Sequence, residues 1–186
     1  MIDADRVAAL LGLERLPHEG GFFRETYRAA GRVTGCLPPG VGERAWSTQI
    51  YYLLRPGETS ALHRVRWDEV FHHYLGDPVA QLVIDDGSLT FEPGGGAVGA
   101  DRVVIGPDLE AGQRPQVVAP AHRWQGAMLE RGPHGFALLG CTVAPGFDWA
   151  DFELITRERA RELKQALPAY AGLIETLTPV PGRTRA

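Results

Sequence analysis

Short apolar runs rich in Val, Ile, Leu, Phe and Tyr recur along the chain, most of them broken by glycine, proline or aspartate. That punctuation predicts an all-β sandwich or barrel. The candidate strands are FFRETYR, WSTQIYYLL, ALHRVR, EVFHHYL, VAQLVI, SLTF, DRVVI, PQVVA, WQGAMLE and FALLGCTVA, and so many short strands predict a jelly roll. The period changes only at the two ends. Val7, Leu10 and Leu11 recur at helical spacing behind Asp3, an N-cap residue, and Gly12 closes the run, predicting a short helix through Leu11. Downstream, Thr156 stands where it caps TRERARELKQAL, whose Ala160, Leu163 and Leu167 share a face before Pro168 stops the helix. Tyr170, Leu173, Ile174 and Leu177 repeat at helical spacing, predicting another short helix docked on the barrel or on a neighbouring subunit.

The pattern divides the chain into a β domain with its N-terminal helix over residues 1–155, a helical extension over 156–180 and a disordered tail over 181–186. Two stretches read as loops, residues 31–45 and residues 93–100. The first is a surface excursion or a flap over a pocket. The second contains Gly94, Gly95 and Gly96 but lacks the lysine and following helix of a phosphate loop.

Composition narrows the function classes. At 186 residues the chain suits one core, which buries roughly 70% of the unfolded surface, so any metal would serve function rather than folding. A net charge of -4 gives no footprint for nucleic acid or anionic lipid. The opening MIDADRVAAL carries acids where a secretory leader needs basic residues, and no run approaches membrane-spanning length. Cys36 and Cys141 form no CxxC and no ladder of spacings, so a disulfide framework is not expected and a reducing cytoplasm is.

The densest chemistry lies in GETSALHRVRWDEVFHHYLG, residues 57–76, with three of the six histidines. If ALHRVR is a strand, Ala61, His63 and Val65 share the inner face, while Leu62, Arg64 and Arg66 take the other, where the arginines meet solvent or an interface. On the next strand Glu69, Phe71 and His73 share a face opposite Val70, His72 and Tyr74, so His72 and His73 point inward together only across a bulge. Tyr51 and Tyr52 also face opposite ways.

This stretch resembles the first motif of the cupin superfamily, in which a glycine precedes a His-x-His pair, a glutamate follows and a second glycine closes. Gly57, His63, Glu69 and Gly76 match, and Val65 replaces the second histidine. VVAPAHRWQGA is similar to the second cupin motif, with Pro120 at its turn and Gln125 where the final histidine is usual. His122 stands where that motif has glycine, a position of positive φ that histidine tolerates. EGGFFRETYR, STQIYYLL, GDP at residues 76–78 and GCTVAPGFDWADFEL resemble a specific subfamily, cupin-5, over about residues 8–155. In that pattern His72 matches the usual histidine, His73 replaces an aromatic residue and Tyr51 matches. The resemblance implies a double-stranded β-helix, a homodimer, and a small-molecule pocket inside one end of the barrel.

Three readings of that pocket follow. In the first, an isomerase or epimerase acts on a sugar-like substrate, with His63 as base, Glu69 as its partner and Gln125 positioning the substrate; His72, His73 and Tyr51 are further candidate ligand contacts. In the second, the barrel binds a small polar metabolite without converting it. In the third, a metal-dependent oxygenase uses Zn, Fe, Ni or Mn held by His63 and Glu69 with Gln125 or His73, although glutamine is a weak, neutral donor. Elsewhere, Arg24 and Arg28 read as a carboxylate or phosphate clamp or a solvated strand edge, Asp148 and Asp151 as a catalytic carboxylate pair or as turn caps, Trp124 as core or interface packing and Cys141 as buried packing.

Overall fold

The computed structural model describes residues 2–87 and 98–179. The expected strand SLTF, most of the loop over 93–100 and the tail over 181–186 lie outside the described residues. Helix α1 (Ala4–Leu11) opens the chain. The strands follow as β1 (Glu14–Arg15), β2 (Phe22–Arg28), β3 (Arg32–Val33), β4 (Arg44–Ala45), β5 (Thr48–Leu54), β6 (Thr59–Val65), β7 (Glu69–Gly76), β8 (Val79–Asp85), β9 (Gly99–Ile105), β10 (Gln116–Ala119), β11 (Trp124–Leu129), β12 (Ala137–Val143) and β13 (Phe152–Leu154). Helices α2 (Arg157–Ala166) and α3 (Ala171–Leu177) close it.

The ends form as their capping chemistry dictates. The Asp3 carboxylate accepts the Arg6 N–H at 2.8 Å, and Gly12 turns left-handed at φ 62° to end α1. The Thr156 hydroxyl accepts the Arg159 N–H at 3.1 Å, and α2 stops before Pro168.

Two antiparallel sheets make the double-stranded β-helix, one ordered β1-β2-β5-β12-β7-β10 and the other β13-β6-β11-β8-β9. Their inner faces meet in one apolar core that takes Tyr52, Leu54, Phe71 and Leu139 from the first sheet and Val79, Ile105 and Ala127 from the second. Helix α1 covers one corner of the first sheet's outer face through Val7, against Leu53 and Leu138. The second sheet is covered by α2 and α3: Leu163, Ile174 and Leu177 pack on Leu62, Leu82, Ile84 and Trp124. The apolar face of the final helix is thus spent within the chain, not on a neighbour.

Three expectations are corrected. Residues 31–45 are not a simple loop, because β3 and β4 pair at the two ends of the stretch and Arg44 and Ala45 are buried. Arg64 does not reach solvent: it is 3% exposed, its guanidinium 4.7 Å over the Trp124 ring and paired with Glu153 at 2.8 Å. The strand's outer face is roofed by elements far along the chain, which alternation alone does not reveal. Finally, β6 does not alternate strictly. His63 pairs with Gln125 and Ser60 with Ala127, so two residues oppose Gly126 in a bulge. Gly126 suits that place, since a Cβ there would lie 3.0 Å from the Ser60 carbonyl and 3.2 Å from Leu177.

Candidate active site

The β6 bulge brings Ser60 and His63 to the inner face together, although they stand an odd number of residues apart. His63 is 2% exposed. Its Nδ1 lies 2.7 Å from the Ala61 carbonyl, which can only accept, so Nδ1 carries a proton and Nε2 is the nitrogen that faces the chemistry. That Nε2 lies 3.8 Å from Glu69 Oε2. Glu69 stands at the first position of β7, also buried.

Both Glu69 oxygens are engaged. Oε2 takes a close hydrogen bond from the Gln125 amide, and Oε1 takes one from the Cys141 thiol at 3.3 Å. Gln125 in turn accepts from Gln81 Nε2 at 3.0 Å. Gln81 is 1% exposed and its own Oε1 has no hydrogen-bond partner among the described residues. A buried acceptor left without a donor is costly, which marks the place where a ligand hydroxyl or water would be welcome.

A second acid completes the cluster. Glu19 lies on the turn between β1 and β2, where its carboxylate accepts the Ser60 hydroxyl at 2.6 Å and its carbonyl accepts the Ala61 N–H at 2.9 Å. The turn lies against β6 and β5: Gly20 has φ 101°, and a Cβ there would sit 2.5 Å from the Thr59 carbonyl. The adjacent Tyr52 hydroxyl donates to the Gly20 carbonyl at 2.9 Å. Sequence reading missed Glu19. Its signal was the pair Gly20–Gly21 in EGGFFRETYR, which reads as backbone approaching its neighbours closely and so as a nearby side chain aimed inward.

Charge follows geometry. Burial alone would lower the His63 pKa, but Glu19 and then Glu69 outweigh it and push it up to about 9, so the imidazole is protonated at neutral pH. Burial raises the Glu19 carboxyl, opposed by the His63 charge and the Ser60 hydroxyl. Burial and the neighbouring Glu69 hold the Cys141 thiol well above its ordinary value. One buried imidazole therefore answers to two carboxylates.

The remaining expected residues fall elsewhere. Gln125 is inside, but its amide is committed to Glu69 and Gln81. Tyr51 is corrected: it lies on the outer face of the first sheet, edge-on to Tyr74 at 6.1 Å, and Tyr52 is the tyrosine inside. His72 is also outside, stacked 6.3 Å from Tyr74. The β7 bulge does exist, but Tyr74 is its extra residue, so it does not turn His72 inward. His73 shares the inner parity yet sits about 13 Å along the strand from Glu69, with Phe71 between them and its Nε2 3.3 Å from the Asp77 carbonyl. Arg24 donates to the Leu11 carbonyl at 3.0 Å and Arg28 pairs with Glu25 at 2.7 Å, so they form no joint clamp. Asp148 caps a one-turn helix over Trp149–Asp151, and His122 takes φ 63° as its place in the turn requires.

The donor set does not fit a resident metal. Glu69 is taken by the Gln125 amide and the Cys141 thiol, Glu19 by the Ser60 hydroxyl and the Gln125 carbonyl oxygen by Gln81, and His73 is at the far end. Among the described residues no three His, Cys, Asp or Glu side chains converge on a cation position.

A jelly roll with a buried polar cluster against one of its turns is the architecture of the cupin superfamily. The chain belongs to the Cupin_5 family, described as Cupin superfamily (DUF985), whose model matches residues 5–155. Among solved structures it is similar to a hypothetical protein from Leishmania major, with 29% identity, TM-score 0.78, and 96% of this chain and 100% of that chain covered. It is also similar to a protein from Shewanella oneidensis, with 30% identity, TM-score 0.74, and 96% and 99% covered. A cupin 2 conserved barrel domain protein from Rhodopseudomonas palustris, 14% identical with TM-score 0.52 over 90% and 88%, shares the fold. No curated protein matches. Among the described residues no helix is long and apolar enough to cross a membrane.

Proposed function

We propose that the barrel binds a small polar metabolite bearing a carbonyl group and moves a proton at the carbon beside it, as an isomerase or epimerase does. The observation that carries this reading is the buried His63 imidazole, fixed through Nδ1, 3.8 Å from Glu69 and held protonated by the charges of Glu19 and Glu69. At neutral pH His63 enters the cycle carrying its proton, so it acts first as acid: Nε2–H donates to the substrate carbonyl oxygen. A carboxylate takes the proton from carbon, and Glu19, whose pKa burial raises, is that base. Returning that proton to carbon while the enol O–H proton passes back to His63 restores every group. His63 serves as base on this return step, the role its sequence context suggested. Glu69, held by two neutral donors, keeps the imidazole charged and oriented, and the unmatched Gln81 Oε1 receives a substrate hydroxyl.

Deuterium wash-in from D2O, followed by NMR on a panel of carbonyl-bearing sugars, tests this directly. Wild-type protein should exchange the proton beside the carbonyl, and His63→Gln should lose about 10²–10⁴-fold of that rate with little change in thermal midpoint. Absence of exchange in the wild type, or equal exchange in the variant, overturns the reading.

One observation favours binding without conversion: the Glu69–Gln125–Gln81 chain is already nearly satisfied by itself. A ligand that raises the thermal midpoint and returns unaltered after prolonged incubation selects that alternative. The homodimer that the family resemblance implies belongs to the same proposal, and a monomer by light scattering at micromolar concentration refutes it.

A further inference from the structure

A continuous run of rings leads from solvent to the imidazole. Phe152 stacks on His63 with centroids 5.1 Å apart and planes at 21°. Trp149 meets Phe152 edge-on at 5.3 Å, Phe147 meets Trp149 at 5.2 Å, and His18 borders Trp149 at 6.2 Å. Phe147 and Phe152 are half-buried and complete the core, whereas Trp149 remains 47% exposed.

That exposure is fixed by construction. Trp149 opens the one-turn helix that ends in Asp151, and Asp151 is gripped by Arg44 at 2.6 Å, Arg66 at 2.8 Å and the Trp67 indole N–H at 3.0 Å. His18, across from it, takes φ 69° on the same turn that aims Glu19 inward. A scattered exposed aromatic needs no explanation, but one anchored this firmly and joined to a buried catalytic imidazole does.

The space beyond Trp149 limits what a ligand can insert. Glu69, Gln125, Gln81 and Phe71 are buried as His63 is, so a substrate that meets the imidazole brings only its reacting end to it and lays the remainder against the exposed Trp149. The rim offers one broad indole surface with polar groups at its edge, namely His18, Asp148 and Arg28, whose guanidinium reaches the Phe147 carbonyl at 3.3 Å. A pyranose has the matching form, an apolar C–H face ringed by hydroxyls. A flat aromatic ligand prefers a slot between parallel rings, and the contacts around Trp149 are all edge-on, at 74–84°.

We infer that Trp149 is the stacking platform for a keto-pyranose, a pyranose with one ring carbon oxidised to a carbonyl, whose carbonyl edge points at His63. This rests on the proton-transfer reading and names the substrate class for it. Saturation-transfer NMR on the full-length protein tests it, with methyl hexopyranosid-3-ulose and methyl hexopyranosid-4-ulose, which keep the pyranose ring and carry a ring carbonyl, as probes beside benzoate and 4-hydroxybenzoate. A pyranose should bind with the strongest transfer to its ring C–H protons. Trp149→Ala should weaken it by about tenfold, and Trp149→Phe by no more than about threefold. Binding of the benzoates alone, binding of no probe, or pyranose binding unmoved in Trp149→Ala overturns the platform. Trp149-dependent pyranose binding without deuterium exchange in the wild type keeps the platform and defeats the proton-transfer reading instead.

Discussion

Glu69 and Asp151 are both buried carboxylates beside strand β6, yet they keep opposite company. Asp151 faces two guanidiniums and an indole N–H, so every donor it meets is permanently protonated. Burial alone would raise its pKa, but the hydrogen bonds from Arg44, Arg66 and Trp67 outweigh that and hold the carboxyl below the usual carboxylate range. Glu69 meets an amide, a thiol and an imidazole, of which two can change protonation state. A buried acid balanced by fixed cations holds structure together. One balanced by titratable partners can take part in proton transfer.

The largest break in that comparison comes from removing each charge in turn. Asp151→Asn leaves Arg44 buried beside a neutral side chain, and urea unfolding should show a loss of about 3–5 kcal/mol. Glu69→Gln should cost only about 1–2 kcal/mol on the same measurement while abolishing proton exchange. Equal stability losses would erase the distinction.

Stability against pH separates the two clusters next. The raised His63 pKa contributes stability that is full below its ordinary value of 6.5 and disappears as pH rises through about 9. The depressed Asp151 pKa contributes stability present above the ordinary carboxylate value and lost as pH falls through the folded one. Urea midpoints should therefore fall on both arms, with His63→Gln flattening the alkaline arm and Asp151→Asn the acid arm. Cys141→Ala removes one neutral donor from Glu69 and should cost about 1 kcal/mol, with a small displacement of the alkaline arm. His72→Ala, on the outer face, should change stability by less than about 0.5 kcal/mol and leave exchange untouched.

What the sequence reveals about this molecule is what local chemistry controls. Asp3, Gly12, Thr156 and Pro168 mark helix ends because a cap or a missing N–H acts within one turn. Motif spacing brings His63 and Glu69 forward, and Tyr51 and Tyr52 are rightly placed on opposite faces. Long-range structure is what escapes it. The bulge that turns Ser60 inward depends on Gly126 across the sheet, the burial of Arg64 depends on Trp124 and Glu153, and Glu19 joins the site only because its turn crosses β6. Family likeness selected Tyr51 for the pocket, and the pleat of β5 gives that place to Tyr52.

Strand β6 is a wall shared by two rooms. Its inner side carries Ser60 and His63, while its outer side carries Leu62, packed with Ile174 and Leu177, and Arg64 against Trp124. Excising everything after Ile155 to obtain a minimal barrel would leave an oily, unsupported surface directly behind the imidazole. The helical extension is therefore part of the scaffold that holds His63, and a shortened protein should lose alignment there before it loses its β architecture.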